Sequence, residues 1–306
     1  MSADFLEQMA AGSRQRVDAA RRACPDADLL ARAAASELPP RLQRDPAGFD
    51  LIAEMKLRSP AVGQLKSGEE DVGARVTSYA RAGAAAVSVL TEPSRFDGSM
   101  AHLELATRVL TPLGVPAMRK DFLVDAYQVT EARLAGAGGV LVILRMLPRE
   151  ALDALIERAR ELKLFVLLEA FDASDIELMH TIVEHHEQSG VEMLAGVNCR
   201  DLATLQIVPR RLDELAHLLP TSVPRVAESG VVTADDARRV AAAGYELALV
   251  GSALMQGGDP RALAAAMLEA GRGARGVHAG PSAPPRSRAD AAIAPPPRQR
   301  DGKVGT

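Results

Sequence analysis

Eight short apolar runs recur along this chain, with helix-patterned segments between them. They are Leu51–Met55, Ala85–Leu90, Val115–Met118, Gly139–Leu144, Leu164–Leu168, Met193–Val197, Val223–Ala227 and Leu247–Val250. Each is apolar on both faces, the pattern of a strand in a parallel sheet covered on both sides. They start roughly 25–35 residues apart, the repeat a (β/α)8 barrel requires. The segments between them carry helical apolar spacing: Glu70–Ala82, His102–Leu110, Ala126–Ala135, Arg149–Leu162, Asp172–His186 and Ala234–Ala243. Gly83, Gly136 and Gly244 stand where C-capping glycines belong. Thr233-Ala234-Asp235-Asp236 reads as a capping box with Asp at N3. The stretch Ser189–Thr221 is less regular, and its helix is expected over Pro209–Leu218. The 306 residues could hold one barrel or two smaller domains. Unbroken alternation of strand and helix favours one parallel barrel.

The expected fold class is therefore α/β, a (β/α)8 TIM barrel with an extra N-terminal helix and a disordered C-terminal tail. The N-terminal helix spans about residues 3–22, with Phe5, Leu6, Met9 and Val17 on one side. Barrel and helix together are expected over 1–271. The tail, 272–306, holds six of the 19 prolines and reads as solvated low-complexity sequence. Hydrophobic residues make up 47% of the chain but aromatics only 3%, with no Trp. Ala, Val and Leu must fill the core.

Without the tail the body has 29 basic against 38 acidic residues. That argues against nucleic-acid binding, although the basic tail leaves an arm as an alternative. Cys24 and Cys199 form neither a disulfide framework nor a metal spacing, which fits a reducing compartment. No apolar stretch spans a membrane, and no signal-peptide core opens the chain. A cytoplasmic location is expected.

In such a barrel the C-terminal strand ends meet at one mouth. Only five of the 36 basic residues are Lys, and two of them, Lys56 and Lys120, close strand runs. Lys can change its pKa and hand over a proton, which Arg does not do. Glu54 lies two residues before Lys56, on the same strand face. The other ends bring Glu169, Asn198, Arg200, Glu228 and Ser229. Three carboxylates and two ammonium groups in a partly dry mouth perturb one another's pKa values and suit proton transfer. Ser229-Gly230 and Gly251-Ser252, after the last two strands, suit a phosphate held by backbone N–H groups. His is absent from every strand end, so a zinc or iron site is not expected. Each feature alone has a bland reading. A lone Glu is commonly a cap, Lys56 could snorkel, and Lys120 could pair with Asp121 at the surface. Together these would require eight coincidences at one mouth.

Several stretches resemble the indole-3-glycerol phosphate synthase family, the ring-closing enzymes of tryptophan biosynthesis. They are Ile52-Ala53-Glu54-Met55-Lys56 with Ser59-Pro60, Ser88-Val89-Leu90-Thr91-Glu92 and Phe96-Asp97-Gly98-Ser99. Arg119-Lys120-Asp121-Phe122, residues 196–202 and Ala227-Glu228-Ser229-Gly230 complete the set. The likeness covers the chain to about residue 268. It implies a lyase without cofactor or metal, acting on a small phosphorylated substrate in which anthranilate is joined to deoxyribulose phosphate. By this resemblance Lys120 is the general acid and Lys56 holds an anion or donates a second proton. Glu169 is the acid/base of dehydration and Glu54 orients the lysines. Asn198, Glu228 and Ser229 bind hydroxyls, and Phe96 and Phe122 pack on the aromatic ring. Ser59, Arg200, Gly230, Gly251 and Ser252 hold the phosphate. The loop Leu57–Glu69, with Gly63 and Gly68, is expected to act as a lid. A monomer is expected, in weak association at most with other enzymes of that pathway. Two rivals stay open here. One is another phosphosugar barrel such as phosphoribosylanthranilate isomerase. The other is a silent or secondary-pathway paralogue that binds a phosphorylated ligand.

Overall fold

The computed structural model of the protein describes residues 2–60, 63–65, 70–201, 204–256 and 259–276. Its centre is a closed barrel of eight parallel strands. These are β1 (Asp50–Met55), β2 (Ala86–Leu90), β3 (Ala117–Lys120), β4 (Gly139–Ile143), β5 (Phe165–Ala170), β6 (Met193–Asn198), β7 (Arg225–Glu228) and β8 (Leu247–Val250). Each pairs with the next, and β1 pairs with β8 to close the ring.

Every apolar run became a strand, but several strands run further than their apolar part. β3 ends on Lys120, β6 on Asn198 and β7 on Glu228, while β5 carries Glu169 within it. A ladder of backbone hydrogen bonds continues whatever its side chains are, provided an inward polar group has the open mouth to face. Lys120, Asn198, Glu228 and Glu169 are thus held by strands rather than loops.

Side chains alternate across the sheet as strand geometry requires. Ile52, Met118, Leu141, Phe165, Leu167, Leu194, Val226 and Leu247 pack inside the barrel. Leu51, Val87, Val140, Val166, Val197 and Val250 pack outward beneath the helices. Burying each such side chain contributes about 1.5–3 kcal/mol before chain entropy is charged against it.

The helices start on short polar caps. Asp71, Ser99, Asp125 and Asp172 accept backbone N–H groups at the starts of Val72–Arg81, Met100–Leu110, Ala126–Leu134 and Ala173–His186. Thr233 and Asp236 form the reciprocal capping box of Ala234–Ala242. The helix expected over Pro209–Leu218 is an α-helix over Arg210–Leu215 finished by a 3-10 turn over Ala216–Leu218.

The N-terminal helix spans Ser2–Ala23, and a second helix, Asp26–Ala35, follows it unforeseen. The second helix ends on a buried Arg. Arg133 donates to the Ser36 hydroxyl and carbonyl at 2.7 and 2.9 Å, where the helix needs its last acceptors met.

The last helix, Pro260–Gly276, also went unforeseen and runs past residue 271. Residues 272–276, expected in the tail, are therefore helical. Arg272 is tied to the Phe49 carbonyl at 3.0 Å and to Asp50 at 3.1 Å, which anchors this turn to the start of β1. The disorder expected for the rest of the tail falls on 277–306, outside the described residues.

Candidate active site

A cavity of about 610 Å³ opens at the C-terminal ends of the strands. It is lined by Glu54, Lys56, Ser59, Phe96, Lys120, Phe122, Glu169, Asn198, Arg200, Glu228, Ser229, Gly230, Gly251 and Ser252. All fourteen candidate residues from the sequence therefore border one space. β1, β3, β5, β6 and β7 supply its floor.

Lys120 stands at the centre of the charges. Its Nζ lies 3.6 Å from Glu169 Oε1 and 3.7 Å from Glu228 Oε2. Asn198 Nδ2 donates to the same Glu169 oxygen at 2.8 Å, and Asn198 Oδ1 accepts from the Arg200 N–H at 2.9 Å. That chain fixes the orientation of Glu169. Lys56 and Glu54 form a second pair at 2.5 Å, largely shielded from water. Two glycines make room for the carboxylates. A Cβ on Gly196 would collide with the Glu228 carboxylate, and one on Gly251 with the Glu54 carboxylate.

The electrostatics follow from this crowding. Burial alone would pull the Lys120 ammonium down, but Glu169, Glu228 and Glu54 outweigh it and hold its pKa above the ordinary value. The charged form of Lys120 is thus the favoured one. Burial pushes the Glu54 carboxyl up, yet Lys56, Lys120 and Arg200 bring it below the usual range. For Glu228 burial and the charge on Glu169 act together, Lys120 offsets them only in part, and the pKa lies well above normal. Both Glu228 oxygens are buried without a hydrogen-bond partner, since 3.7 Å to Lys120 is an ion contact only.

The surface pair considered for Lys120 does not form. Arg119 and Asp121 point away from Lys120, as alternation along β3 requires. Asp121 is buried and accepts from Thr91 at 2.8 Å, Arg119 at 3.1 Å and Arg16 of the N-terminal helix at 2.9 Å. Glu92, beside the mouth in sequence, caps the short helix Pro93–Phe96 that carries Phe96 inward.

Ser229 and Gly230 both have left-handed backbones, φ 64° and 68°. For Ser229 that conformation costs energy and is held by its surroundings. The N–H groups of Val232 and Thr233, at the start of Ala234–Ala242, already donate to Asp236 at 3.1 and 3.0 Å. The N–H of Asp236 in turn donates to the Thr233 hydroxyl at 3.1 Å. Gly230, Gly251 and Ser252, which begins the short helix Ser252–Gln256, border the cavity.

The lid expected over 57–69 lies partly outside the described residues, at 61–62 and 66–69. Its described part is a small antiparallel hairpin pairing Arg58–Ser59 with Gly63–Gln64, which brings Ser59 to the cavity.

Sequence reasoning missed Phe5, Leu6, Leu141, Ile143 and Phe171 as wall residues. One signal was available. The chain has six Phe in all, and four of them, Phe5, Phe96, Phe122 and Phe171, line this cavity. Among the described residues one group, Asp153, His185 and His186, brings three potential metal ligands together. It sits on two outer helices. There the two ring nitrogens of His186 already face Asp153 at 3.0 Å and Glu157 at 3.2 Å.

Fold and site together define a (β/α)8-barrel enzyme with an acid–base mouth beside an anion cradle. A sequence profile of the indole-3-glycerol phosphate synthase family matches residues 6–267. The chain is 41% identical over 261 residues to an indole-3-glycerol phosphate synthase of Nocardioides sp., covering 83% of this chain and 94% of that one. It is 42% identical over 221 residues to one from Parafrankia sp., covering 72% and 78%. The chain belongs to the indole-3-glycerol phosphate synthase family, whose members are decarboxylating lyases of tryptophan biosynthesis. Solved structures share the fold alone. The 3-hexulose-6-phosphate synthase of Salmonella typhimurium matches with TM-score 0.55 at 13% identity, covering 72% of this chain and 98% of that one. Thiamine phosphate pyrophosphorylase of Pyrococcus furiosus gives 0.52 at 16%, covering 75% and 99%.

Proposed function

We propose that this protein closes the indole ring of 1-(2-carboxyphenylamino)-1-deoxyribulose 5-phosphate, with loss of carbon dioxide and water. The observation that carries the reading is Lys120, an ammonium held between Glu169 and Glu228 on the floor of a mouth lined by four Phe. The ring carbon bearing the carboxylate attacks the ketose carbonyl. A C–C bond forms, the carbonyl π bond breaks, and the oxygen takes a proton from Lys120. Carbon dioxide then leaves, and its bonding pair restores the aromatic ring. In the last step the hydroxyl departs as water while the adjacent carbon loses a proton.

Lys120 is the principal acid because its cation is fixed before the oxyanion develops, so no reorganisation is needed then. Glu169, aligned by Asn198, serves as acid/base in dehydration. Lys56, paired with Glu54, holds the anthranilate carboxylate or donates the second proton. Glu228 and Ser229 bind hydroxyls. Ser59, Arg200, Gly230, Gly251 and Ser252 take the phosphate, and Phe96 and Phe122 pack on the ring. No helix among the described residues is long and apolar enough to cross a membrane, and we place the enzyme in the cytoplasm as a monomer.

The test is an indole-fluorescence assay with the substrate named above. The chain has no Trp, so product indole appears against a dark background. Turnover is expected from the unmutated protein, and about a thousandfold less at saturating substrate from Lys120→Met. Folded protein without any signal would point instead to a silent paralogue. Near-normal turnover by Lys120→Met would remove Lys120 from its role.

A further inference from the structure

Two aromatic walls border the mouth, and one of them lies outside every stretch that carries the family resemblance. Phe122 follows β3 and is met edge-on by Phe5 at 5.8 Å and by Phe96 at 6.0 Å. Phe171 follows β5, two residues after Glu169, and lines the same cavity. β4 lies between these two strands and pairs with both. Its inward residues Leu141 and Ile143 also line the cavity.

In a closed ring of eight strands β4 stands opposite β8, and Gly251-Ser252 follow β8 directly. A ligand whose phosphate rests there must extend across the mouth towards β4. It reaches an apolar floor flanked by Phe122 on one side and Phe171 on the other.

Phe171 is held on both backbone and ring. It is only 3% exposed, and its N–H donates to Asp175 at 2.7 Å. The Arg145 guanidinium lies over the ring at 4.8 Å from its centre. Arg145 is itself locked, with ion contacts of 2.5 Å to Asp172 and 2.6 Å to Asp175. Asp172 also caps the helix Ala173–His186, so the pair is bolted to a rigid element. Cation and aromatic face attract, and an Arg whose charge is already met by two carboxylates is free to act as a flat backstop. Phe171 can neither withdraw from the mouth nor swing into solvent without breaking these contacts.

We infer that Phe171, pinned by Arg145, is a specificity-determining residue that limits the size of the substrate's aromatic ring at the edge facing β5. Arg145 is a positioning residue that acts through Phe171. The inference rests on the ring-closure reading above. It adds a second wall to the aromatic subsite.

The test compares kcat and KM for the unsubstituted substrate and its mono-methyl ring isomers. The proteins are the parent chain, Phe171→Ala, Phe171→Leu, Arg145→Ala and the double variant Phe171→Ala with Arg145→Ala. For Phe171→Ala, KM for the unsubstituted substrate is expected to rise about tenfold, with a smaller change in kcat. Its kcat/KM for at least one methyl isomer, relative to the unsubstituted substrate, should improve about tenfold. Arg145→Ala should shift the same ranking by less, and the double variant should match Phe171→Ala alone, because Arg145 acts only through the ring.

Phe171→Leu keeps the site apolar and carries the test if the alanine variant fails to fold. An unchanged ranking of methyl isomers in the Phe171 variants, with the parent active, overturns this inference alone. Additive effects of Arg145→Ala and Phe171→Ala overturn the positioning role. No turnover by the parent chain overturns this inference and the ring-closure reading together.

Discussion

Around Lys120 the mouth holds three carboxylates, Glu54, Glu169 and Glu228, against two ammonium groups, Lys56 and Lys120. The Glu228 carboxyl has its pKa raised well above the usual range, because it is buried, faces Glu169 and has no hydrogen-bond donor. The sign of the pH effect follows. A carboxyl whose folded pKa is raised contributes stability that is complete below its unfolded pKa and is lost as pH rises through the folded value. Glu228→Gln removes that loss. The variant should melt about 3 °C above the parent near pH 7 and show no such gain near about pH 4. Thermal unfolding at the two pH values checks it, and an equal gain at both would place Glu228 as an ordinary carboxylate. At this scale the sequence was legible as residue types at strand ends. Their protonation was not, because the Glu228 pKa depends on neighbours from three other strands.

The strand and helix elements were legible wherever periodicity or a cap marks them, as at Thr233–Asp236 and Gly83. The helix Asp26–Ala35 was not, since its fit rests on Arg133, about a hundred residues away in the chain. The role of the N-terminal helix was likewise hidden. Arg16 donates to Asp121 at 2.9 Å and to Ser13 at 2.8 Å, and Asp121 directly follows Lys120. Phe5 on the same helix meets Phe122. The helix is therefore part of the site's wall, fastened beside its central lysine. Arg16 is one-third exposed, so the latch contributes only about 1 kcal/mol. Arg16→Ala should raise KM about fivefold with little change in kcat, and should speed proteolysis near the N-terminus. Unaltered KM and proteolysis would show that the helix docks through its apolar face alone.

Across the whole molecule, closure of the barrel turns separate strand ends into one cavity. It also removes the free sheet edges that would invite association. Among the described residues the large exposed hydrophobics are few and scattered, namely Leu38, Leu113 and Val232. Sedimentation equilibrium at micromolar concentration should therefore return the mass of one chain. A concentration-dependent doubling of mass would reveal an interface.

By itself the sequence determined the strand–helix alternation, the barrel and the fourteen residues at its mouth. Periodicity, caps and residue chemistry are local, and the pleat assigns each residue to a face. Only the tertiary structure decided that three carboxylates hold the Lys120 pKa up and that burial beside Glu169 raises that of Glu228. It alone decided that Phe171 and the N-terminal helix wall the mouth. Each of these depends on groups distant in the chain brought within a few ångströms, where burial and charge, rather than residue type, set the outcome.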